Sequence, residues 1–218
     1  MIVALESASS DPSLALAELD GSAIAVDGWT GEGRQSSELL PHLLVLLARS
    51  GRELREATAV AVGIGPGSFT GLRVSMSLAK GISLAFGVPL VGIPSLEAWL
   101  AAEPAAVAAV ARAGAQESYL LQRDEQEPRV VSSAELPQML GGSTVVVASE
   151  LALAFGLARA RSPERAAAAI ASMAAARLAE APDGDDLERL EPHYIRAPRG
   201  IGTASEVGQA PNEVRGWP

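Results

Sequence analysis

The segment GIGPGSFTGLR, residues 63–73, has residue types that suit a phosphate-binding loop. It follows an apolar run, and its glycines and proline lead into Ser-Phe-Thr. Glycines permit a tight turn, and the start of a helix presents free N–H groups that can bind an anion. A tight strand-to-helix turn with a Ser or Thr cap would use the same residues, so the pattern leaves both interpretations open.

The loop lacks residues that two nucleotide-binding motifs require. The P-loop motif needs a lysine directly after its last glycine. The only lysine of the chain, Lys80, lies two turns or more inside the helix that follows the loop. The dinucleotide motif needs a third glycine where Ser68 stands. The sequence therefore contains no complete catalytic phosphate motif.

Other catalytic arrangements have even less support. The only histidines, His42 and His193, are far apart in sequence and belong to no H-E-x-x-H pattern, which disfavours a metallopeptidase. No G-x-S-x-G motif of serine hydrolases occurs. Glu6, just after the first predicted strand, is the one carboxylate placed where an α/β enzyme could use it, and the sequence offers no second group to pair with it.

Composition excludes several further classes of protein and of binding site. The 218 residues carry a net charge of −9, which argues against a protein that grips nucleic acid by itself. The absence of cysteine excludes disulfides and zinc–thiolate sites. The longest central stretch without a charge, residues 81–96, is too short and too interrupted to span a bilayer. With no basic region before the apolar residues at its start, the sequence predicts a cytoplasmic protein.

Short apolar runs predict the strands, and helical periodicity predicts the helices, that position the loop. The first half predicts strands at residues 1–5, 13–19, 22–29, 58–64 and 88–93, and helices at residues 36–49, 70–86 and 95–102. The second half predicts strands at residues 105–111, 117–123, 128–131 and 143–149, and helices at residues 133–140 and 162–181. This order predicts a mixed α/β lobe followed by a variation on the same theme.

Two of these helices are apolar around most of their circumference. In helix 70–86, Arg73, Ser77 and Lys80 share a narrow polar sector, and apolar residues fill roughly 220° of the remainder. A helix packed on one sheet needs an apolar stripe only about 100° wide. Helix 36–49 is similarly apolar. The excess predicts either a large two-lobed core or a surface that binds another protein.

The loop and the helix behind it carry a resemblance to a known family. The segment GIGPGSFTGLRVSMSLAKGISLAFGVPLVGIPSLEA, residues 63–98, resembles the signature region of the TsaB (YeaZ) family, and weaker similarity extends over residues 1–196. The resemblance implies an α/β fold of two ribonuclease H-like lobes, as in the actin/Hsp70/sugar-kinase superfamily. It implies a first lobe at residues 1–98 and a second at 99–196, and residues 197–218 form an extension outside it.

The resemblance also implies a role without catalysis. A member of this family is expected to be an accessory subunit in the formation of tRNA threonylcarbamoyladenosine. Its expected partners are a TsaD-like catalytic subunit and a TsaE-like ATPase, with tRNA reached only through the complex and a homodimer formed when the chain is alone. No cofactor of its own is expected, and ATP or ADP is expected at an interface of the complex.

Three positions depart from the family pattern. Glu6 and Arg112 stand where aspartate is usual, and Gln35 stands where histidine is common. These departures count against nucleotide hydrolysis by this chain. An independent small-molecule kinase of the same fold is the alternative function, and a metallopeptidase is the less favoured one.

The resemblance and the apolar helices together suggest site residues, none of them catalytic or metal-binding. The predicted partner and dimer interface comprises Leu39, Leu43, Leu46, Leu72, Met76 and Ala79. The loop residues expected to touch a shared nucleotide are Gly65, Gly67, Ser68, Thr70, Gly71 and Arg73.

Overall fold

The first sheet contains the strand that leads into the glycine-rich loop. A computed structural model describes residues 1–31, 35–193 and 195. The five strands of this sheet are β1 (Ile2–Glu6), β2 (Ser13–Ala17), β3 (Ala23–Gly28), β4 (Ala59–Gly63) and β5 (Leu90–Ile93). They lie in the order β3-β2-β1-β4-β5. β1 is antiparallel to β2 and parallel to β4. The strands β2 and β3 lie on one side of β1 and the strands β4 and β5 on the other, so the topological switch point of the sheet lies between β1 and β4.

Three helices belong to this half of the chain, namely α1 (Gln35–Arg49), α2 (Phe69–Phe86) and α3 (Ser95–Ala102). α2 begins at a serine cap, because the Ser68 hydroxyl accepts a hydrogen bond from the Gly71 N–H. It ends at Gly87, whose left-handed backbone has a φ of 62°. Both ends agree within one residue with the predicted helix at residues 70–86, and the cap is a serine as the sequence suggested.

The second sheet has the strand order β10-β9-β6-β7-β8. Its strands are β6 (Ala108–Arg112), β7 (Glu117–Gln122), β8 (Arg129–Ser132), β9 (Val145–Val147) and β10 (Ala160–Arg161). The helices of this half are α4 (Leu136–Leu140), α5 (Ser149–Phe155) and α6 (Ala166–Glu180), and short 3-10 turns lie at Leu54–Glu56 and Ser133–Glu135.

Both sheets have one topology. β6 is antiparallel to β7 and parallel to β9, just as β1 is antiparallel to β2 and parallel to β4. In both sheets the edge strands continue the pattern in the same directions. Glu6 at the end of β1 therefore corresponds to Arg112 at the end of β6. The prediction that the second half is a variation on the first is confirmed.

The first sheet is covered on both faces, as the alternation of side chains along its strands requires. Val3 and Leu5 of β1 face the cluster that includes α1 and α2, whereas Ile2 and Ala4 face the cluster that includes α6. Most of the α6 residues in that cluster are alanines, so the helix can lie close to the sheet. The division predicted at residue 98 places α6 in the second half, but by packing this helix belongs to the first sheet.

Several local predictions need correction. The sequence did not predict α5 or β10. A helix of seven residues and a strand of two residues are too short to give a clear periodic signal. The predicted helix at 162–181 begins later, at Ala166. Residues 197–218 lie outside the described residues. Within the described residues, no helix is long and apolar enough to cross a membrane.

Candidate functional site

The glycine-rich loop connects β4 to α2 and lies against the turn between β1 and β2. The Ala8 carbonyl of that turn accepts a 2.6 Å hydrogen bond from the Ser68 N–H. The Ser7 hydroxyl donates one of 2.7 Å to the Gly71 carbonyl. A β-carbon added at Gly67 would overlap the Ala8 carbonyl, and one added at Gly71 would overlap the Ser7 carbonyl. These glycines are required because two main-chain segments touch here.

Gly65 has a different role in the same loop. Its φ of 92° lies in the left-handed region, which favours glycine. The Gly65 N–H donates a 3.0 Å hydrogen bond to the Ser95 hydroxyl. This bond joins the glycine-rich loop to the first residue of α3.

Three N–H groups around the start of α2 are occupied within the chain. The Ser68 N–H binds the Ala8 carbonyl, the Gly71 N–H binds the Ser68 hydroxyl at 3.2 Å, and the Leu72 N–H binds the Ser68 carbonyl at 2.9 Å. An anion that used these three groups would have to displace these contacts. Thr70 and Arg73 point outward, and the Arg73 guanidinium lies 4.0 Å from the centre of the Phe69 ring. Binding at this loop of a nucleotide shared with a partner subunit stays a prediction.

Glu6 occupies a closed pocket at the topological switch point of the first sheet, between the ends of β1 and β4. Ligands of open α/β sheets bind at such points, outside the carboxyl ends of the strands. Here the pocket is filled, because Glu6 is 1% exposed and a β-carbon on Gly63 would overlap its carboxylate. Burial raises the pKa of Glu6 to about 7, although the hydrogen bond that its carboxylate accepts from the Ala8 N–H lowers it in part.

The turn between β1 and β2 also joins the two lobes. The buried Asp11 carboxylate accepts a 2.6 Å hydrogen bond from the Ser149 N–H at the start of α5. The Ser13 hydroxyl accepts a 3.1 Å bond from the Ala167 N–H in the first turn of α6. Ala8 lies in an apolar cluster with Leu72 and Trp99 of the first half and with residues of the second sheet, including Ala109, Ala111 and Tyr119. The space between the lobes is therefore packed with side chains at this point.

The six residues predicted to form the partner interface do not lie on a surface. All are buried, with five of them in the core cluster beneath α1 and α2 and Leu72 in the cluster between the lobes. The prediction named the inward face of both helices, so these six residues are wrong as surface residues. They are Leu39, Leu43, Leu46, Leu72, Met76 and Ala79.

The outward faces of α1 and α2 are nevertheless apolar. Of the nine large apolar side chains left exposed among the described residues, five lie on these two helices. Leu40 and Leu44, one turn apart on α1, are 44% and 52% exposed. A groove of about 480 Å³ runs between the helices and is lined by Ser36, Leu39, Leu40, Phe69, Thr70, Arg73, Val74, Ser77 and Leu78. We call Leu40, Leu44, Phe69, Val74 and Leu78 the α1–α2 surface.

The two histidines lie in separate places. His42 stacks on Trp29 with the ring centres 3.8 Å apart, and its Nδ1 lies 2.6 Å from an Asp27 carboxylate oxygen. The His193 N–H donates a hydrogen bond to the Ile64 carbonyl after β4. In the described part of the chain, no group of three histidine, aspartate or glutamate side chains could hold a metal ion. Asp185 accepts a 2.7 Å hydrogen bond from the Gly92 N–H of the edge strand β5 and pairs with Arg177.

A family model described as "TsaD: tRNA N6-adenosine threonylcarbamoyltransferase" matches residues 33–182, well over half of the chain. The chain belongs to this family, on its TsaB (YeaZ) branch. The TsaB protein of Escherichia coli is 38% identical over 61 residues, which cover 28% of this chain and 26% of that protein. A tRNA N6-adenosine threonylcarbamoyltransferase of Solidesulfovibrio magneticus is 48% identical over 62 residues, covering 28% of this chain and 17% of that protein. The matched segments thus span about a quarter or less of these relatives.

The fold has a close structural counterpart. YeaZ from Pseudomonas aeruginosa superimposes with a TM-score of 0.65 at 23% sequence identity, covering 89% of this chain and 99% of that one. The expected α/β fold with two lobes is confirmed. The relation to the actin/Hsp70/sugar-kinase superfamily stays a prediction.

Proposed function

We propose that this TsaB-branch chain is a non-catalytic subunit required for forming N6-threonylcarbamoyladenosine in tRNA. The observation that carries the proposal is the α1–α2 surface, where leucines that a solitary domain would bury stand exposed beside an apolar groove. Apolar patches of this kind mark sites of protein–protein contact. The names of the relatives place them in threonylcarbamoyladenosine biosynthesis and supply the process.

In this proposal the α1–α2 surface binds a TsaD-like catalytic subunit. A TsaE-like ATPase joins the complex, and tRNA and ATP or ADP are reached through it. Without its partner the chain pairs with a second copy through the same surface, because an exposed apolar face of this kind favours a symmetric dimer. The interface residues are those of the α1–α2 surface rather than the six core residues named from the sequence.

The closed pocket at Glu6 supports the non-catalytic part of the proposal. A general base must come within hydrogen-bond reach of the proton that it removes. Glu6 is sealed beneath Gly63 and Ala8, and Ala8 and Trp99 belong to the packed cluster between the lobes. A substrate could approach this carboxylate only if that packing opened.

Reconstitution tests the proposal directly. The purified chain is combined with the TsaD-like and TsaE-like proteins of the same organism, tRNA, threonine, bicarbonate, ATP and the enzyme that supplies the threonylcarbamoyl adenylate. Modified adenosine is then measured by mass spectrometry. We expect product only when the chain is present, and Glu6→Gln should retain the rate within a few-fold. Full product without the chain would contradict the proposal. Sustained magnesium-dependent ATP turnover by the chain alone, with a small alcohol as acceptor, would favour the kinase alternative.

A further inference from the structure

Three arginines lie near β10 and the start of α6. Arg159, Arg161 and Arg165 are exposed and lie within seven residues of one another. In the described part of the chain, the first two donate hydrogen bonds only to main-chain carbonyls, of Gly142 and Ala160, and none of the three has a carboxylate partner. This is a local concentration of positive charge on a chain whose net charge is −9.

A second group of three arginines shows the usual arrangement. Arg49, Arg52 and Arg55 also lie within seven residues, but glutamates neutralise two of them. Arg52 contacts Glu18 at 3.0 Å and Glu56 at 3.3 Å, and Arg55 contacts Glu53 at 2.9 Å. Arg112, Arg129, Arg177 and Arg189 are likewise paired with acids. The guanidinium groups near β10 are therefore available to an external anion.

The backbone places Arg159 and Arg161 on one face of the second sheet, and Arg165 follows at the start of α6. Ala160 of β10 packs into the core cluster of the second lobe, so Arg159 and Arg161 on either side of it point to the opposite face of the sheet. Main-chain pairing with β9 begins already at Arg159, whose carbonyl accepts a hydrogen bond from the Val145 N–H. Alternate residues of a strand lie about 6.6 Å apart. A ligand with charges repeating along a line fits this spacing.

Arg165 is unfavourable for the stability of the protein where it stands. It occupies the cap position of α6, whose first turn contains no acidic residue. The amino-terminal end of a helix carries partial positive charge, so a cation there is destabilising. Helix stability would favour an acidic or neutral cap at this position. Together the helix end and the three guanidinium groups attract anions.

We propose that Arg159, Arg161 and Arg165 form a contact surface for the phosphate backbone of RNA. Guanidinium groups bind phosphate through a planar fork of donors. Three such contacts give an affinity that is highest at low salt and falls as the salt concentration rises. The choice of RNA over an acidic polypeptide rests on the proposed function. The surface itself is separate from the α1–α2 surface, and its test needs no partner subunit.

The test measures binding of a fluorescently labelled RNA stem-loop to the full chain by anisotropy over a series of salt concentrations. For three phosphate contacts, log K should fall with log salt with a slope of about −2. The triple variant Arg159→Gln, Arg161→Gln, Arg165→Gln should bind on the order of tenfold more weakly and lose most of this slope. The variant should remain folded, since the substitution at Arg165 removes an unfavourable charge.

The matched control removes the same number of charges elsewhere. Arg49→Gln, Arg52→Gln, Arg55→Gln should keep the RNA affinity within a few-fold of the unmodified chain. Three results would overturn the proposal: no RNA binding at low salt, equal losses in the two triple variants, or displacement of the RNA by polyglutamate at matched charge. Leu40→Glu should leave RNA binding intact, so failure of the proposed partner interface would not affect this result.

Discussion

The Ser68 N–H and the Ala8 carbonyl lie 2.6 Å apart and join the glycine-rich loop to the turn between β1 and β2. Through this contact, Ala8 of the turn binds the residue that caps α2. Asp11 of the same turn reaches the second lobe, where it accepts a hydrogen bond from the Ser149 N–H. The residues that resemble a phosphate loop are thus in direct contact with the segment that fixes the two lobes to each other.

Gly67→Val tests the close approach of these two segments. The new side chain would overlap the Ala8 carbonyl, and a main-chain atom cannot move aside without losing its bond to Ser68. We expect the free energy of unfolding to fall by about 3 kcal/mol, measured by urea denaturation, and binding to the partner to fall with it. Gly81→Ala is the control, since a β-carbon there meets nothing within 4 Å. It should stabilise α2 by about 0.5–1 kcal/mol. An unchanged midpoint for Gly67→Val would contradict the described contact.

Met76→Glu and Leu40→Glu together test which helix residues are buried and which are exposed. Met76 is 5% exposed and packs in the cluster beneath α1 and α2, so a glutamate there would bury an unpaired charge. We expect this variant to be unfolded or severely destabilised. Leu40→Glu should change the free energy of unfolding by less than about 1 kcal/mol, because its side chain is already partly in water. Circular dichroism melts compare the two, and a Met76→Glu protein as stable as the unmodified chain would show that the assigned face is wrong.

The sequence predicted which helices carry excess apolar surface but not which residues form it. Leu39 and Leu40 are neighbours of one type, and only the packing of α1 on the sheet decides that the first is buried and the second exposed. Hydrophobic periodicity fixes an orientation only when the opposite face is polar. The positions of the strands in the first half and the bounds of α2 were predictable because the apolar runs and the capping signals are strong.

Other features depend on contacts between distant segments. Asp11 pairs with Ser149 across 138 positions, and no local pattern points to that bond. The duplicated topology was likewise not visible as a sequence repeat. It appears only when the pairing of β6 with β7 and β9 is compared with that of β1 with β2 and β4.

Glu6→Gln should change how stability depends on pH. Burial raises the pKa of Glu6 from 4.5 to about 7, so the folded protein holds this proton in a range where the unfolded chain releases it. The stabilisation is complete below about pH 4.5 and is lost as the pH rises through about 7, a difference of about 3 kcal/mol. Urea denaturation between about pH 5 and about pH 8 should show this decline in the unmodified chain and a smaller one in Glu6→Gln. Identical pH profiles would contradict the assignment of a raised pKa to Glu6.

Asp11→Ala should loosen the junction between the lobes. The substitution removes the acceptor for the buried Ser149 N–H, and an unmade hydrogen bond to a buried charged group costs about 1–3 kcal/mol. We expect faster hydrogen exchange at Ser149 and in α5, while β1 and β4 stay protected. Asp20→Ala is the control, because Asp20 is exposed and its side chain contacts only nearby Ser22. Equal exchange at Ser149 in both variants would show that the bond does not hold the lobes.

The most direct test of the proposed function is the mass of the complex formed with the TsaD-like subunit of the same organism, measured by light scattering after co-expression. The unmodified chain should give a stable complex, and Leu40→Glu should abolish it, since a charge in an apolar contact costs several kcal/mol of binding. Leu153→Glu is the matched control, because Leu153 is 85% exposed on α5 and does not belong to the α1–α2 surface. It should assemble normally. A full complex with folded Leu40→Glu, or equal loss in both variants, would contradict the assignment of this surface.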